Sequence, residues 1–337
     1  MTADPSPAGR SLTPARLIAW TLAGAAAVAI TAALCSLAGV SEMTQQVWLN
    51  RMLRLCFGAI IGAALASGGV AMQGLLRNPL ADPYILGVSS GASVGVLVGE
   101  MLAARAALPL WAGTPVLALA GALATTAVVY GIAQRRGRMN PYVLLLSGVI
   151  VNVFNGALIL TLLLFQQRDA VLKYVQWGIG ALPDVAGTET ELLMLGVCGA
   201  AVIVGWLALL LRGSAMNALG LGDDVASSSG VRVHWLRLEV FAVVALMTSA
   251  AVALAGPIGF LGLIVPHVCR LLVGADHRLL VVVAGFGGAV FLMLADTVGR
   301  TASLWLDVGS VPVGVITALS GGPFFIALLR RRWREAT

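Results

Sequence analysis

Charge is what this chain has least of. Its 21 basic and 15 acidic residues make up 11% of 337, against about 25% in ordinary soluble domains, too little to clothe a water-soluble fold. Lysine is nearly missing. Lys173 is the single one, so no G-x-x-x-x-G-K-[ST] phosphate loop exists, and any ATP-driven work must draw its nucleotide site from another polypeptide. Cysteine is sparse as well: Cys35, Cys56, Cys198 and Cys269 stand singly in or beside apolar stretches, without CxxC or a histidine at metal-ligand spacing. They read as small hydrophobes, and no metal site is expected. The first 15 residues hold Arg10 but no apolar core, and the run from Leu17 to Val40 lacks a convincing small-x-small cleavage site before the polar loop that follows. It reads as a retained first helix rather than a signal peptide.

What is abundant is apolar surface, 59% of residues, together with 40 glycines. At about 20 apolar residues per crossing, this supplies about ten spans and leaves no room for a separate soluble domain. Disorder and a soluble nucleic-acid binder are excluded on the same ground, despite a net charge of +6. The runs predict spans near 17–39, 52–76, 83–103, 114–133, 141–165, 190–211, 236–256, 259–273, 279–299 and 311–330. The eighth is the least regular, because Gly256-Pro257 and Pro266 interrupt it, and broken helix at membrane depth is tolerated only against protein or a water-filled path. The expected fold is an all-α membrane protein with about ten helices in one bundle spanning 17–330, a tail at 1–16 and a basic tail at 331–337.

The few charges orient this bundle. With both termini inside, 15 basic residues fall on the cytoplasmic side and six, Arg51, Arg54, Arg105, Arg168, Lys173 and Arg300, on the outer side. That distribution obeys the positive-inside rule, and the opposite orientation would invert it. Small residues say how the helices meet: Gly87, Gly91, Gly95 and Gly99 repeat every fourth position, as do Gly58, Gly62 and Ala66, giving flat stripes that let backbones approach.

Two kinds of chemistry find weak support. Gly87-Val88-Ser89-Ser90-Gly91 fits G-x-S-x-G, but that pattern needs a strand-turn-helix elbow and here opens a membrane helix, so an intramembrane serine protease is a remote alternative. An ion-coupled secondary transporter would place ionisable residues in mid-membrane. The best candidate, Asp296, lies near the end of a span with Arg300 at i+4 to neutralise it.

Four polar segments carry more information. Arg51 and Arg54 share one face at the outer mouth of the second span, read either as arginines snorkelling to the membrane interface or as a positive dock for an acidic partner. Gln73 to Pro83 forms a short inner loop containing Arg77-Asn78-Pro79-Leu80-Ala81-Asp82. Gly256 to His267, followed by Arg270 and Asp276-His277-Arg278, reads as non-ideal helix. The inner loop at about 213–235 contains Leu219-Gly220 and then Asp223-Asp224-Val225-Ala226. A short helix is expected from Asp223 to Ser229, with acids at its start suiting the dipole and Gly230 as its stop. Two turns are marginal alone in water and call for docking into another protein.

Together these segments, with Leu86 to Ala92, Leu294-Ala295-Asp296-Thr297, Pro312-Val313-Gly314 and Gly321-Gly322-Pro323, resemble the membrane permease of the ABC importers for iron-siderophores, haem and vitamin B12, the type II importers. The resemblance runs from about Leu17 to Arg334.

It implies a permease of the bacterial inner membrane that works as a homodimer with the pathway between the copies. Two ATP-binding cassette subunits would carry ATP and Mg, leaving this chain without a cofactor or a catalytic site. A periplasmic substrate-binding protein would dock on Arg51, Arg54 and Arg300. Leu219, Gly220, Asp223, Asp224, Val225 and Ala226 would form the coupling element on the ATPase. Asn78 and Leu80, with Met139, Asn140, Pro141 and Tyr142, would close the inner end of the pathway. The family often has Glu-Leu-Pro before the last helix where this chain has Ser310-Val311-Pro312, which removes whatever contact that Glu makes. Haem, ferric siderophore and cobalamin all stay open as cargo, with iron compounds the commoner one.

Overall fold

The computed structural model of the protein describes residues 13–38, 44–106, 110–135, 138–183, 188–306 and 311–336. Ser310 and residues 1–12 of the N-terminal tail lie outside them. Among the described residues twelve α-helices follow one another: α1 (Pro14–Leu37), α2 (Gln45–Leu76), α3 (Val88–Ala106), α4 (Leu110–Ala133), α5 (Pro141–Leu163), α6 (Arg168–Gly178), α7 (Glu189–Leu221), α8 (Asp223–Ser228), α9 (Val233–Ala255), α10 (Leu261–Val273), α11 (His277–Leu306) and α12 (Val313–Ala336). A 3-10 turn, Pro83–Leu86, leads into α3, and two-residue strands β1 (Gln134–Arg135) and β2 (Arg138–Met139) close the α4–α5 hairpin. Among the described residues seven helices are long and apolar enough to cross a membrane, and three shorter apolar ones lie at Val88–Leu102, Leu261–Val273 and Val313–Leu328. These are the ten spans expected; α6 and α8 are the additions between them.

Helix α2 is the axis of the bundle, with Ile61, Leu65, Met72 and Leu75 fully buried. Its glycine stripe has an identifiable partner. A Cβ on Gly62 would stand 2.2 Å from the Gly288 carbonyl oxygen of α11, and one on Gly288 would stand 2.1 Å from the Gly62 oxygen and 2.6 Å from the Ala66 Cβ. The second stripe is used the same way, since a Cβ on Gly95 would meet the Leu117 oxygen of α4 at 2.0 Å and one on Gly91 the Gly121 oxygen at 2.5 Å. Backbones that close gain dispersion contacts that larger residues would forbid.

The first turns of α10 are built around a missing donor. Pro266 has no N–H, so the carbonyl of Gly262, four residues earlier, loses its helical partner. The Gln73 side chain of α2 replaces it, its Nε2 donating to the Gly262 oxygen at 3.3 Å, while its Oε1 accepts from Arg270 Nη2 at 2.7 Å. At the opposite end of the bundle, the chain leaving α6 is clasped by backbone alone. The Ala181 N–H donates to the Ala255 oxygen at 3.0 Å, and the Gly314 N–H donates to the Gly180 oxygen at 2.9 Å. Gly180 sits at φ +78° with Pro257 O against its Cα, a place that a side chain could not share.

Four expected boundaries move. The loop read as 213–235 is mostly helix, because α7 continues to Leu221 and α9 starts at Val233. Polar residues such as Arg212 end the apolar run but not the helix. The short helix ends at Ser228 with Ser229 as its C-cap and Gly230 following at φ +82°. The basic residues assigned to a tail at 331–337 lie on α12, which runs to Ala336, and the tail at 1–16 ends earlier, with Thr13 capping α1.

Candidate functional site

Helix α8 is six residues long and has no side-chain cap of its own, so its position must come from tertiary contacts. Asp223, its first residue, supplies them. Its Oδ1 accepts from Arg237 Nη2 of α9 at 2.9 Å and also from Arg77 Nη2 at the end of α2. Arg77 is one of two described non-glycine residues with positive φ, at 48°, terminating α2 in a left-handed turn. That turn aims its guanidinium at α7, where Nε donates to the Leu219 oxygen at 2.9 Å. One arginine thus holds the end of α7 and the start of α8 together.

The residues expected to couple divide by direction. Leu219 and Ala226 are fully buried against the bundle, whereas Leu221, Asp224 and Val225 are exposed. Gly220 lies in the last turn of α7 with nothing near its Cα. A second tie secures the same end of α7: Asn217 Nδ2 donates to Asp276 Oδ1 at 2.7 Å, and Asn217 Oδ1 accepts from the His277 N–H at 2.8 Å. Asp276 also accepts from Arg278 Nε and Nη2, the latter at 2.7 Å. Burial pushes the Asp276 carboxyl up, but the bonds from Arg278 and Asn217 and the Arg278 charge outweigh it and leave it at about 2.

The expected gate residues split into two groups. Met139, Asn140, Pro141 and Tyr142 line a cavity of about 630 Å³ together with Arg77, Asp223, Asp224, Ser227, His234 and Arg237. The start of α5 therefore shares a wall with α8. Asn140 caps α5, its Oδ1 accepting from the Tyr142 and Val143 N–H groups, and Tyr142 stands exposed. Asn78 and Leu80 do not line this cavity; Asn78 Oδ1 accepts from the Leu80 N–H at 2.9 Å in a tight turn, leaving Leu80 exposed.

At the opposite end the three expected docking arginines converge on unlike duties. Arg51 Nη1 donates to the Ser36 and Ala38 oxygens at the end of α1, at 2.7 and 2.9 Å. Arg54 is only 6% exposed, and its Nη2 and Nε reach Asp296 Oδ1 at 2.9 and 3.0 Å. Arg300 Nε donates to Asp296 Oδ2 at 3.0 Å, the i+4 pair that the spacing suggested. Asp296 is thereby shared by two arginines. The G-x-S-x-G serines gain no elbow: Val88 to Gly91 is helical, and Ser90 Oγ donates to Asn152 Oδ1 at 2.6 Å.

Sequence reasoning missed Arg237, Asn217 and the whole of α6. The last had a signal, since Leu172, Val175 and Ile179 recur at i, i+3 and i+7 and all are exposed.

This arrangement of ten spans, a pinned short helix between α7 and α9 and a broken α10 has close counterparts. Residues 13–331 match the FecCD transport family. The chain belongs to that family. It is 41% identical over 295 residues to the cobalamin import system permease protein BtuC of Halobacterium salinarum, covering 87% of this chain and 76% of that one. It is 38% identical over 289 residues to the hemin transport system permease protein HmuU of Yersinia pestis, covering 85% and 84%. A solved structure of an inward-facing metal-chelate type ABC transporter superposes with a TM-score of 0.81 at 27% identity, covering 93% of this chain and 99% of that one. As a FecCD protein the chain is a multi-pass membrane permease, a transport component rather than an enzyme.

Proposed function

We propose that this chain forms the membrane path of an ATP-driven importer, moving an iron compound such as haem or a ferric siderophore, or cobalamin, into the cytoplasm. The observation that carries the reading is α8. A two-turn helix held by Arg77 and Arg237 through Asp223, and presenting Asp224 and Val225 outward beside the exposed Leu221 at the end of α7, is a lever with an exposed apolar tip. Two ATPase subunits, each with ATP and Mg, seat on the α8 helices of two copies. Their approach and separation moves α8, and the shared cavity wall carries that motion to Met139–Tyr142 at the start of α5.

The pathway lies between the two copies. Support comes from α5, which leaves Leu146, Val149, Ile150, Val153 and Phe154 exposed, and from Leu319 and Ile326 of α12. The binding protein docks at the other end on Arg51 and Arg300, with Arg54 the buried member of the cluster. The charge distribution puts α8 in the cytoplasm and these arginines outside. Relatives named for cobalamin and for hemin support the cargo class. Neither the broken α10 nor Asp296, held by two arginines, offers a free mid-membrane acid for ion coupling.

Reconstitution in proteoliposomes tests the reading. Uptake of cargo should require ATP inside with the ATPase, and the loaded binding protein outside. Uptake driven by a proton or sodium gradient without any ATPase would overturn it. The absorption spectrum of the co-purified binding protein identifies the cargo.

A further inference from the structure

We infer that the groove between α1, α10 and α11 is a binding site for one acyl chain of an anionic phospholipid. It is a cavity of about 460 Å³ whose lining includes Ala23 and Ala27 of α1, Val268 and Leu272 of α10, and Phe286 and Leu294 of α11. Every lining residue belongs to an apolar helix, so the medium outside the groove is hydrocarbon and water does not compete for it. The α1 wall is low because it is built from alanine and glycine. Gly24 itself is pressed on Phe286, whose ring would stand 2.4 Å from an added Cβ, and this fixes the depth of the floor. The α10 rim is high, with Val268 and Leu272 exposed.

The dimensions select the occupant. The lining runs from Val283 to Leu294 along α11, about 16 Å at 1.5 Å per residue, which matches one leaflet of a core about 30 Å thick. Its location selects the leaflet: α1 begins, α10 ends and α11 begins at the same face of the bundle, and Trp20, Leu272 and Val283 are the lining residues nearest to it. Charge selects the headgroup. Arg16 precedes Trp20 by one turn on the same side of α1, has no ion pair among the described residues and is partly exposed in the first turn of that helix. Trp20 stands between them, the usual station of an indole at the membrane interface. A chain filling the groove leaves its phosphate within reach of Arg16.

The full chain in detergent, mixed with phosphatidylglycerol or phosphatidylcholine of identical acyl chains and studied by native mass spectrometry, tests this. Ala27→Phe and Val268→Phe fill the groove; Ala26→Phe places the same ring on the exposed side of α1 outside it. One phosphatidylglycerol should survive delipidation on the wild-type chain and on A26F. Retention should fall about tenfold in A27F and V268F, since a buried ring excludes several methylenes. Arg16→Gln should abolish the preference for phosphatidylglycerol over phosphatidylcholine. Equal retention by wild type and A27F, equal loss in A26F, or a second copy of the chain rather than lipid held through Ala27 would each overturn the assignment. Thermal melting of each variant separates loss of the site from loss of the fold.

Discussion

Arg54 and Asp296 stand 242 residues apart in sequence and meet through three bonds from the guanidinium, two to Oδ1 and one to Oδ2, both side chains nearly shut off from their surroundings. Asp296 Oδ2 also accepts from Arg300 Nε. Removing one member of such a buried set strands the other, at about 3–5 kcal/mol. Asp296→Ala should therefore destabilise the chain by that amount in detergent, seen as lower-temperature melting. Combining it with Arg54→Met should recover most of the loss, because no buried charge is left alone. If D296A melts like the wild type, the pair has no structural weight.

Docking makes a separate demand on the same cluster. Arg51 is spent on backbone carbonyls of α1 and Arg300 on Asp296, yet both are more exposed than Arg54. Charge attraction to an acidic partner weakens as salt shortens the screening length to about 8 Å at physiological strength. Wild-type docking should fall with rising salt. Arg51→Glu or Arg300→Glu should bind roughly tenfold more weakly at low salt and show a flatter salt dependence. Titration of the permease with its binding protein measures this, and unchanged affinity and slope would remove these arginines from the interface.

Long apolar runs made the ten spans legible, and the glycine stripes marked seams that the structure does use. What could not be read were relationships at long separation. Arg77 was visible as a loop arginine, but its partner Asp223 lies 146 residues on, and nothing local announces it. The end of α7 was misplaced because hydropathy reports the bilayer, whereas the helix runs ten residues past Leu211. Helix α6 was hidden by Arg168, Asp169 and Lys173, which break the apolar run without breaking the helix. Gln73 was noticed in a motif, though its task, replacing the donor that Pro266 lacks, needs α2 and α10 side by side.

In the coupling role proposed for it, α8 depends on Asp223 for its seat and on Val225 for its grip. Asp223→Asn keeps shape but weakens the bonds to Arg77 and Arg237, so the ATPase should still bind while hydrolysis continues with less transport per ATP. Val225→Glu leaves the seat intact and charges the exposed tip, so the ATPase subunit should be lost from the complex. Coupled transport at wild-type yield in both variants would show that α8 is not the contact.

Asp276 gives the α7–α11 tie an acid limit. Its folded value, about 2, lies below the unfolded value of about 3.9. Its stabilisation is complete above that unfolded value and disappears as pH falls through the folded one. Most of the lowering comes from Arg278, with Asn217 of α7 second, so the carboxylate's contacts together contribute on the order of 1–2 kcal/mol at neutral pH after solvent screening, and the α7–α11 tie only part of that. Melting should be insensitive to pH from 7 to 5 on this account and fall between about 4 and 2. Asn217→Ala, which removes one of the bonds to the carboxylate, should move that fall to higher pH. An acid limb identical in N217A would show that Asn217 does not hold the charge.

The Gly62–Gly288 seam predicts a contrast between two glycine substitutions on apolar helices. A methyl on Gly62 meets a backbone oxygen and carbon of α11 at 2.2 and 2.6 Å. Neither can rotate aside, so the helices must part and the contacts on both sides of the seam open. Overpacking of this kind costs about 1–3 kcal/mol, partly offset by the gain of up to about 1 kcal/mol from alanine over glycine in a helix. Gly131 of α4 has nothing within 4 Å of its added Cβ, so Gly131→Ala keeps only the gain. Gly62→Ala should lower the melting temperature and Gly131→Ala should hold or raise it. If both move alike, helix propensity rather than backbone approach explains the glycine stripe.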